Sequence, residues 1–121
     1  MNKKLNDPDV CEVPRWQLIK ATLNNLSYTD FVNKASEDQN AQMIDVRTEE
    51  EHATESIPDS IVMNYLDRDL ADQLEKLDSS KSYYVYCRTG RRSLRVCVIL
   101  RNLGFKNVYN LEEGIVSRPQ T

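Results

Sequence analysis

The feature that most constrains this chain is a regular alternation of strand-like and helix-like segments. Thr22 to Asn25, Ala41 to Val46, Ser60 to Asn64, Lys81 to Tyr86 and Asn107 to Asn110 are short apolar or β-prone runs. Between them apolar residues return every three or four positions. Tyr28, Phe31, Val32 and Ala35 follow the capping hydroxyl of Ser27, and Leu66, Leu70, Leu74 and Leu77 follow the third run. Thr48, three acids and His52 read as a capped helical turn. Val96, Cys97, Leu100 and Leu103 share a helical face that Gly104 ends, and Leu111 to Val116 reads as a final turn. Strands joined through helices run parallel, so the expected fold class is α/β, a parallel sheet with helices on both faces. Ligands of such sheets bind beyond the carboxyl ends of the strands.

A chain of 121 residues has room for one such core. Residues 1 to 20 are polar, carry Pro8 and Pro14 and show no sustained period. They are expected to be an N-terminal extension that packs through Trp16, Leu18 and Ile19, with the domain spanning residues 21 to 121. With 40% hydrophobic and 29% charged residues, the composition is that of a water-soluble globular protein. A net charge of -3 argues against a nucleic-acid surface. No apolar run is long enough for a membrane span or an export signal, so a cytoplasmic protein with no membrane partner is expected. The 3 cysteines, Cys11, Cys87 and Cys97, form no Cys-x-x-Cys pair and are accompanied by a single histidine, His52. That set suits neither a disulfide framework nor a zinc site, and no metal or cofactor is expected. Cys97 lies on the apolar helix face and reads as core, and Cys11 in the extension reads as a bystander.

Cys87 is different. It ends the most β-prone run and precedes, by a few residues, a helix expected to begin near Ser93. The connecting loop must turn its amides inward around the thiol, a bend that Gly90 permits. The helix start presents its positive end to the same place, and Arg88, Arg91 and Arg92 add permanent charge. Cysteines in such surroundings ionise at roughly 3.5 to 7.5 in place of about 8.5. The expectation is a thiolate nucleophile that needs no histidine base.

Cys87-Arg88-Thr89-Gly90-Arg91-Arg92 followed by Ser93 resembles the active-site loop of the rhodanese family. Upstream, Met-Ile-Asp-Val-Arg, with Glu51 four residues after Arg47 and then Ile57-Pro58, is similar to the family's first signature. Leu103 to Ile115 resembles its closing signature, so the likeness spans about residues 21 to 118. It implies a central parallel sheet of about five strands with helices on both faces. It also implies a thiosulfate-type sulfurtransferase, in which Cys87 takes a sulfane sulfur and passes it to cyanide or a thiol. The amides of residues 88 to 92 would hold the persulfide, Arg92 would balance charge, and Arg88 and Arg91 would steer the donor. Asp45 and Arg47 match family positions that shape the site from the neighbouring strand, but the spacing also lets Arg47 pair with Glu50 or Glu51 across one helical turn, and a structural role is expected for both. Related phosphatases place Arg six positions after the cysteine, where this chain has Ser93, so phosphatase activity is not expected.

The chain departs from the family pattern at several positions. Glu55-Ser56-Ile57-Pro58-Asp59-Ser60 stands where the family commonly reads Gly-His-Ile-Pro-Gly-Ala, which predicts a turn built differently. His52 replaces an aromatic residue and is expected to be a packing substitute, and Arg118 replaces a Trp. Besides the enzyme, two other functions fit these residues: a persulfide carrier loaded by a protein partner, and a regulatory domain that only binds an anion.

Overall fold

The computed structural model describes residues 15–119. In chain order the elements are α1 (Arg15–Lys20), β1 (Asn24–Leu26), α2 (Tyr28–Glu37), β2 (Ala41–Asp45), α3 (Glu49–Thr54), β3 (Ser60–Val62), α4 (Leu70–Glu75), β4 (Ser82–Tyr86), α5 (Arg91–Asn102) and β5 (Val108–Leu111), closed by a 3-10 turn at Ile115–Ser117. The strands form a single parallel sheet in the order β1-β5-β4-β2-β3, as the alternating pattern requires.

β4 is central, and every one of its residues is buried. Because strand side chains alternate between faces, β4 divides the interior in two. Tyr83, Val85 and, just past the strand, Cys87 join Leu74 of α4 and Val96, Cys97 and Leu100 of α5 in one cluster. Tyr84 and Tyr86 join Phe31 of α2, Leu111 and Ile115 in the other. The Phe31 ring meets Tyr84 edge-on at 5.6 Å, and Tyr109 stacks on Tyr84 at 4.7 Å. The Tyr84 hydroxyl donates to Asp38 Oδ2 at 3.0 Å, and burial together with that carboxylate pushes its ionisation upward. A hydroxyl-bearing ring can therefore fill the core without leaving its polar atom unpaired.

Local signals account for the helix ends. The Ser27 hydroxyl accepts from Asp30 N–H, and Thr48 and Glu51 form a reciprocal capping box on α3. At the end of α5, Gly104 is left-handed (φ +99°) and Phe105 N–H returns to the Leu100 carbonyl at 3.0 Å, bringing Phe105 into the core.

Some expectations shift. β1 begins two residues later than the expected Thr22 to Asn25, because Thr22 and Leu23 hydrogen-bond back to Ile19 and Lys20 and form the turn after α1. α4 is only six residues long, and Leu66 lies outside it, 61% exposed. Leu103 is 39% exposed, and Leu94 takes the core position on α5 in its place. The extension is helical at Arg15–Lys20 and is tied to the domain: Asn25 Nδ2 donates to the Lys20 carbonyl at 2.7 Å, and Lys20 Nζ pairs with Glu112 at 2.9 Å. Leu18 is exposed and Ile19 half-buried. Pro8, Cys11, Pro14 and the Trp16 side chain lie outside the described residues.

Candidate active site

Cys87 stands at the carboxyl end of the central strand, flanked by the ends of β2 and β5. It is 3% exposed, and two amide donors face its sulfur. Gly90 N–H lies 3.1 Å from Sγ, and the Ser93 amide and hydroxyl both lie at 3.5 Å. Ser93 N–H belongs to the first turn of α5, whose unpaired amides carry the positive end of the helix dipole. Two amides and a helix terminus converging on one sulfur make an anion site. Gly90 and Ser93 aim at the sulfur; the amide of Ser93, one residue beyond the expected span of 88 to 92, takes part.

The tightness of the loop depends on two glycines. Gly90 has φ +95°, and a β-carbon there would run into the Glu112 carbonyl. Gly114 has φ +75°, and a β-carbon there would strike the Arg88 carbonyl. The closing segment also donates to the loop directly, from Ile115 N–H to the Cys87 carbonyl at 2.9 Å and from Val116 N–H to the Arg88 carbonyl at 3.2 Å. The cradle is therefore made of two stretches of chain, the loop itself and the turn after β5.

Arg88, Thr89, Arg91 and Arg92 are exposed around this buried sulfur. The Arg92 guanidinium lies 5.5 Å from the centre of the Tyr65 ring, which fixes its charge by cation–π attraction. Arg95, not singled out from the sequence, donates to the Tyr65 hydroxyl at 3.3 Å. A groove of about 650 Å³ between α1 and α5, lined by Ile19, Leu94, Val98 and Ile99, reaches Thr89, Gly90 and Arg91, but Cys87 does not line it.

Asp45 and Arg47 form a buried ion pair next to β4. Arg47 Nε and Nη2 donate to the two Asp45 carboxylate oxygens at 3.0 and 2.8 Å, and the Arg47 amide adds a third bond at 2.9 Å. Arg47 also reaches the Glu55 carbonyl and lies 5.7 Å from the Tyr86 ring centre. The expected pairing with Glu50 or Glu51 is corrected: Glu51 is used by the capping box, and a buried carboxylate demands the countercharge. Burial pushes the Asp45 carboxyl up, but the hydrogen bonds from Arg47 and His52 outweigh it and hold the group below the usual carboxylate range.

His52 is not merely a packing substitute: its Nδ1 lies 2.9 Å from Asp45 Oδ2. Nothing in the spacing of Asp45 and His52 signals this contact, which requires the chain to reverse between β2 and α3. In the turn at Ile57 to Ser60, Asp59 holds a left-handed backbone at φ +68°, at the position where the family pattern carries Gly. The Tyr86 hydroxyl ties this turn to β4 by accepting from Ile57 N–H at 3.1 Å and meeting Ser60 Oγ at 2.9 Å. Arg118 pairs loosely with Glu55 at 3.4 Å on the surface. Cys97 is fully buried on α5, and burial pushes its thiol strongly upward, which fits an inert core cysteine. Among the described residues no cluster of His, Cys, Asp and Glu suits a metal ion, and no helix is long and apolar enough to cross a membrane.

One residue of the site was not anticipated. Asn110 on β5 is buried, and its Oδ1 lies 2.6 Å from Ser93 Oγ. Only the parallel pairing of β4 with β5 brings it beside the loop.

Comparison with known proteins identifies the family. YtwF of Bacillus subtilis, whose name carries the word sulfurtransferase, is 35% identical over 95 residues, covering 78% of this chain and 89% of its own. A protein named sulfurtransferase from Allochromatium vinosum is 24% identical over 95 residues, covering 78% of this chain and 87% of its own. A crystal structure of a rhodanese-like domain protein from Staphylococcus aureus superposes with a TM-score of 0.69 at 28% identity, covering 81% of this chain and 93% of the other. Residues 28–117, which run from the first residue of α2 through the closing turn that clamps the Cys87 loop, match the rhodanese-like domain, and the chain belongs to that family.

Proposed function

We propose that this protein is a sulfurtransferase that moves a sulfane sulfur from a donor such as thiosulfate to cyanide or a thiol through a persulfide on Cys87. The observation that carries this reading is the convergence of the Gly90 and Ser93 amides on Sγ, inside a loop bearing Arg88, Arg91 and Arg92. The names of its relatives point the same way.

In the first half-reaction the Cys87 thiolate attacks the outer sulfur of thiosulfate. A Cys87 S–S bond forms, the donor's S–S bond breaks, and sulfite leaves with the electron pair. The Gly90 and Ser93 amides, at 3.1 and 3.5 Å from Sγ, stabilise the negative charge on the attacking and departing Cys87 thiolate without reorganising. In the second half-reaction the acceptor attacks that terminal sulfur, and Cys87 departs as the thiolate. The exposed guanidiniums raise the local concentration of an anionic donor and affect its rate of arrival. The near-burial of Cys87 favours a small donor over a bulky one.

Incubation with thiosulfate, followed by mass spectrometry, is expected to show one added sulfur on the Cys87 peptide, and cyanide is then expected to release thiocyanate. Cys87→Ser should abolish both. Absence of the adduct in the folded wild-type protein would overturn the proposal.

A further inference from the structure

The polar atoms behind Cys87 form a line whose directions can be worked out. Asn25 Nδ2 lies 2.7 Å from the Lys20 carbonyl and 3.3 Å from the Leu23 carbonyl. Both neighbours only accept, so the Asn25 side chain must turn its NH₂ toward them and its Oδ1 toward Asn110. Asn110 Nδ2 donates to that oxygen at 2.9 Å, which leaves Asn110 Oδ1 facing Ser93 Oγ at 2.6 Å. A hydroxyl has one proton, and here it goes to Asn110. Toward Cys87, 3.5 Å away, Ser93 Oγ therefore presents lone pairs, which suit a neutral thiol and oppose a negative sulfur.

We propose that Asn110 and Asn25 are positioning residues that keep the Ser93 hydroxyl proton turned from Cys87 while the sulfur is neutral, and yield it to the sulfur when charge develops there. The hydroxyl swings between two acceptors, Asn110 Oδ1 and Sγ, with no bond made or broken other than hydrogen bonds. Asn110 is 1% exposed, so its Oδ1 has no water to turn to when Ser93 leaves, and the swing is opposed. The shorter of the two bonds that fix the line goes to the carbonyl of Lys20, the last residue of α1. The N-terminal helix thereby influences a thiol it does not touch.

The inference deepens the reading of Cys87 as a nucleophile, and its test is separable from that reading. Alkylation of Cys87 by iodoacetamide, followed peptide by peptide as a function of pH, reports when the sulfur becomes negative, whether or not any donor loads it. The charged and titratable groups around the site include Arg88, Arg91 and Arg92 of the loop and α5, Tyr65 and Arg95 beside Arg92, Cys97 of α5, the Asp45–Arg47 pair with His52 and Tyr86, and Lys20, Glu112 and Glu113 of α1 and the closing segment. The variants alter none of them.

In Asn25→Ala the Asn110 amide is free to turn over and present its NH₂ to Ser93, releasing the hydroxyl proton for sulfur. In Asn110→Leu the competing acceptor is gone. Both are expected to move the alkylation profile to lower pH, by roughly one unit, or about tenfold more reactive sulfur at a fixed pH below the midpoint. Ser93→Ala is expected not to move it downward, and Asn25→Ala/Ser93→Ala should follow Ser93→Ala, because the gain requires the hydroxyl. A role confined to stability would loosen the cradle and shift the profile upward or leave it in place. If Asn110→Leu fails to fold, the half-buried Asn25→Ala decides alone. An unmoved or raised profile in folded Asn25→Ala, or a lowered one that persists without Ser93, would overturn the proposal. Failure of thiosulfate to load Cys87 would instead count against the sulfurtransferase reading and leave the alkylation result to stand.

Discussion

At the scale of single residues, the Asp45–Arg47 pair shows how a buried charge is made tolerable. Asp45 is fully buried and Arg47 nearly so, and each oxygen of the carboxylate has a guanidinium donor. Removing one partner leaves the other uncompensated, so Asp45→Asn is expected to cost about 3–5 kcal/mol in urea melts at neutral pH. The folded protein holds this carboxyl below its ordinary value of 3.8. Its contribution is therefore present above that value and lost as pH falls through the lower folded one. Urea melts between pH 5 and pH 2 are expected to show a shallower acid loss in Asp45→Asn than in wild type. The bend of the Cys87 loop at Gly90 was legible at this scale because the residues that make it are adjacent in sequence. His52 and Asn110 were not, since their partners Asp45 and Ser93 lie in other elements and only the folded chain brings them together.

At the scale of elements, helix starts were easier to read than strand bounds. Ser27 and Thr48 announce α2 and α3 through hydroxyls that accept from the third residue on, a local interaction that needs no tertiary context. Thr48→Ala removes one member of the capping box and is expected to cost about 1 kcal/mol, measured as a lower urea midpoint. β1 is three residues long, and its position follows from pairing with β5, which its own residues do not encode. The leucine spacing from Leu66 to Leu77 overstated α4 for a related reason. Periodicity marks residues able to share a helical face, whereas Leu66 follows a turn in which the Asn64 side chain accepts from its amide.

At the scale of the whole molecule, the order β1-β5-β4-β2-β3 puts Cys87 between strands that arrive at very different times along the chain. β2 supplies Asp45 and β5 supplies Asn110, while the segment after β5 folds back over the loop. Ile115 links these roles: its side chain is buried with Phe31, Tyr84 and Tyr86, and its amide holds the Cys87 carbonyl. Ile115→Ala is expected to destabilise the fold by about 2–4 kcal/mol. It should also slow persulfide formation with thiosulfate at urea concentrations where the protein remains folded, because the cavity loosens the turn that clamps the loop.

That clamp has a consequence for biosynthesis. Because Ile115 and Val116 furnish bonds to the backbone of Cys87 and Arg88, a nascent chain displays its cysteine well before the amides around it can be locked in place. The Cys87 and Arg88 carbonyls gain their amide donors only after β5 and the residues beyond it have been made, so this part of the cradle is the late one to close.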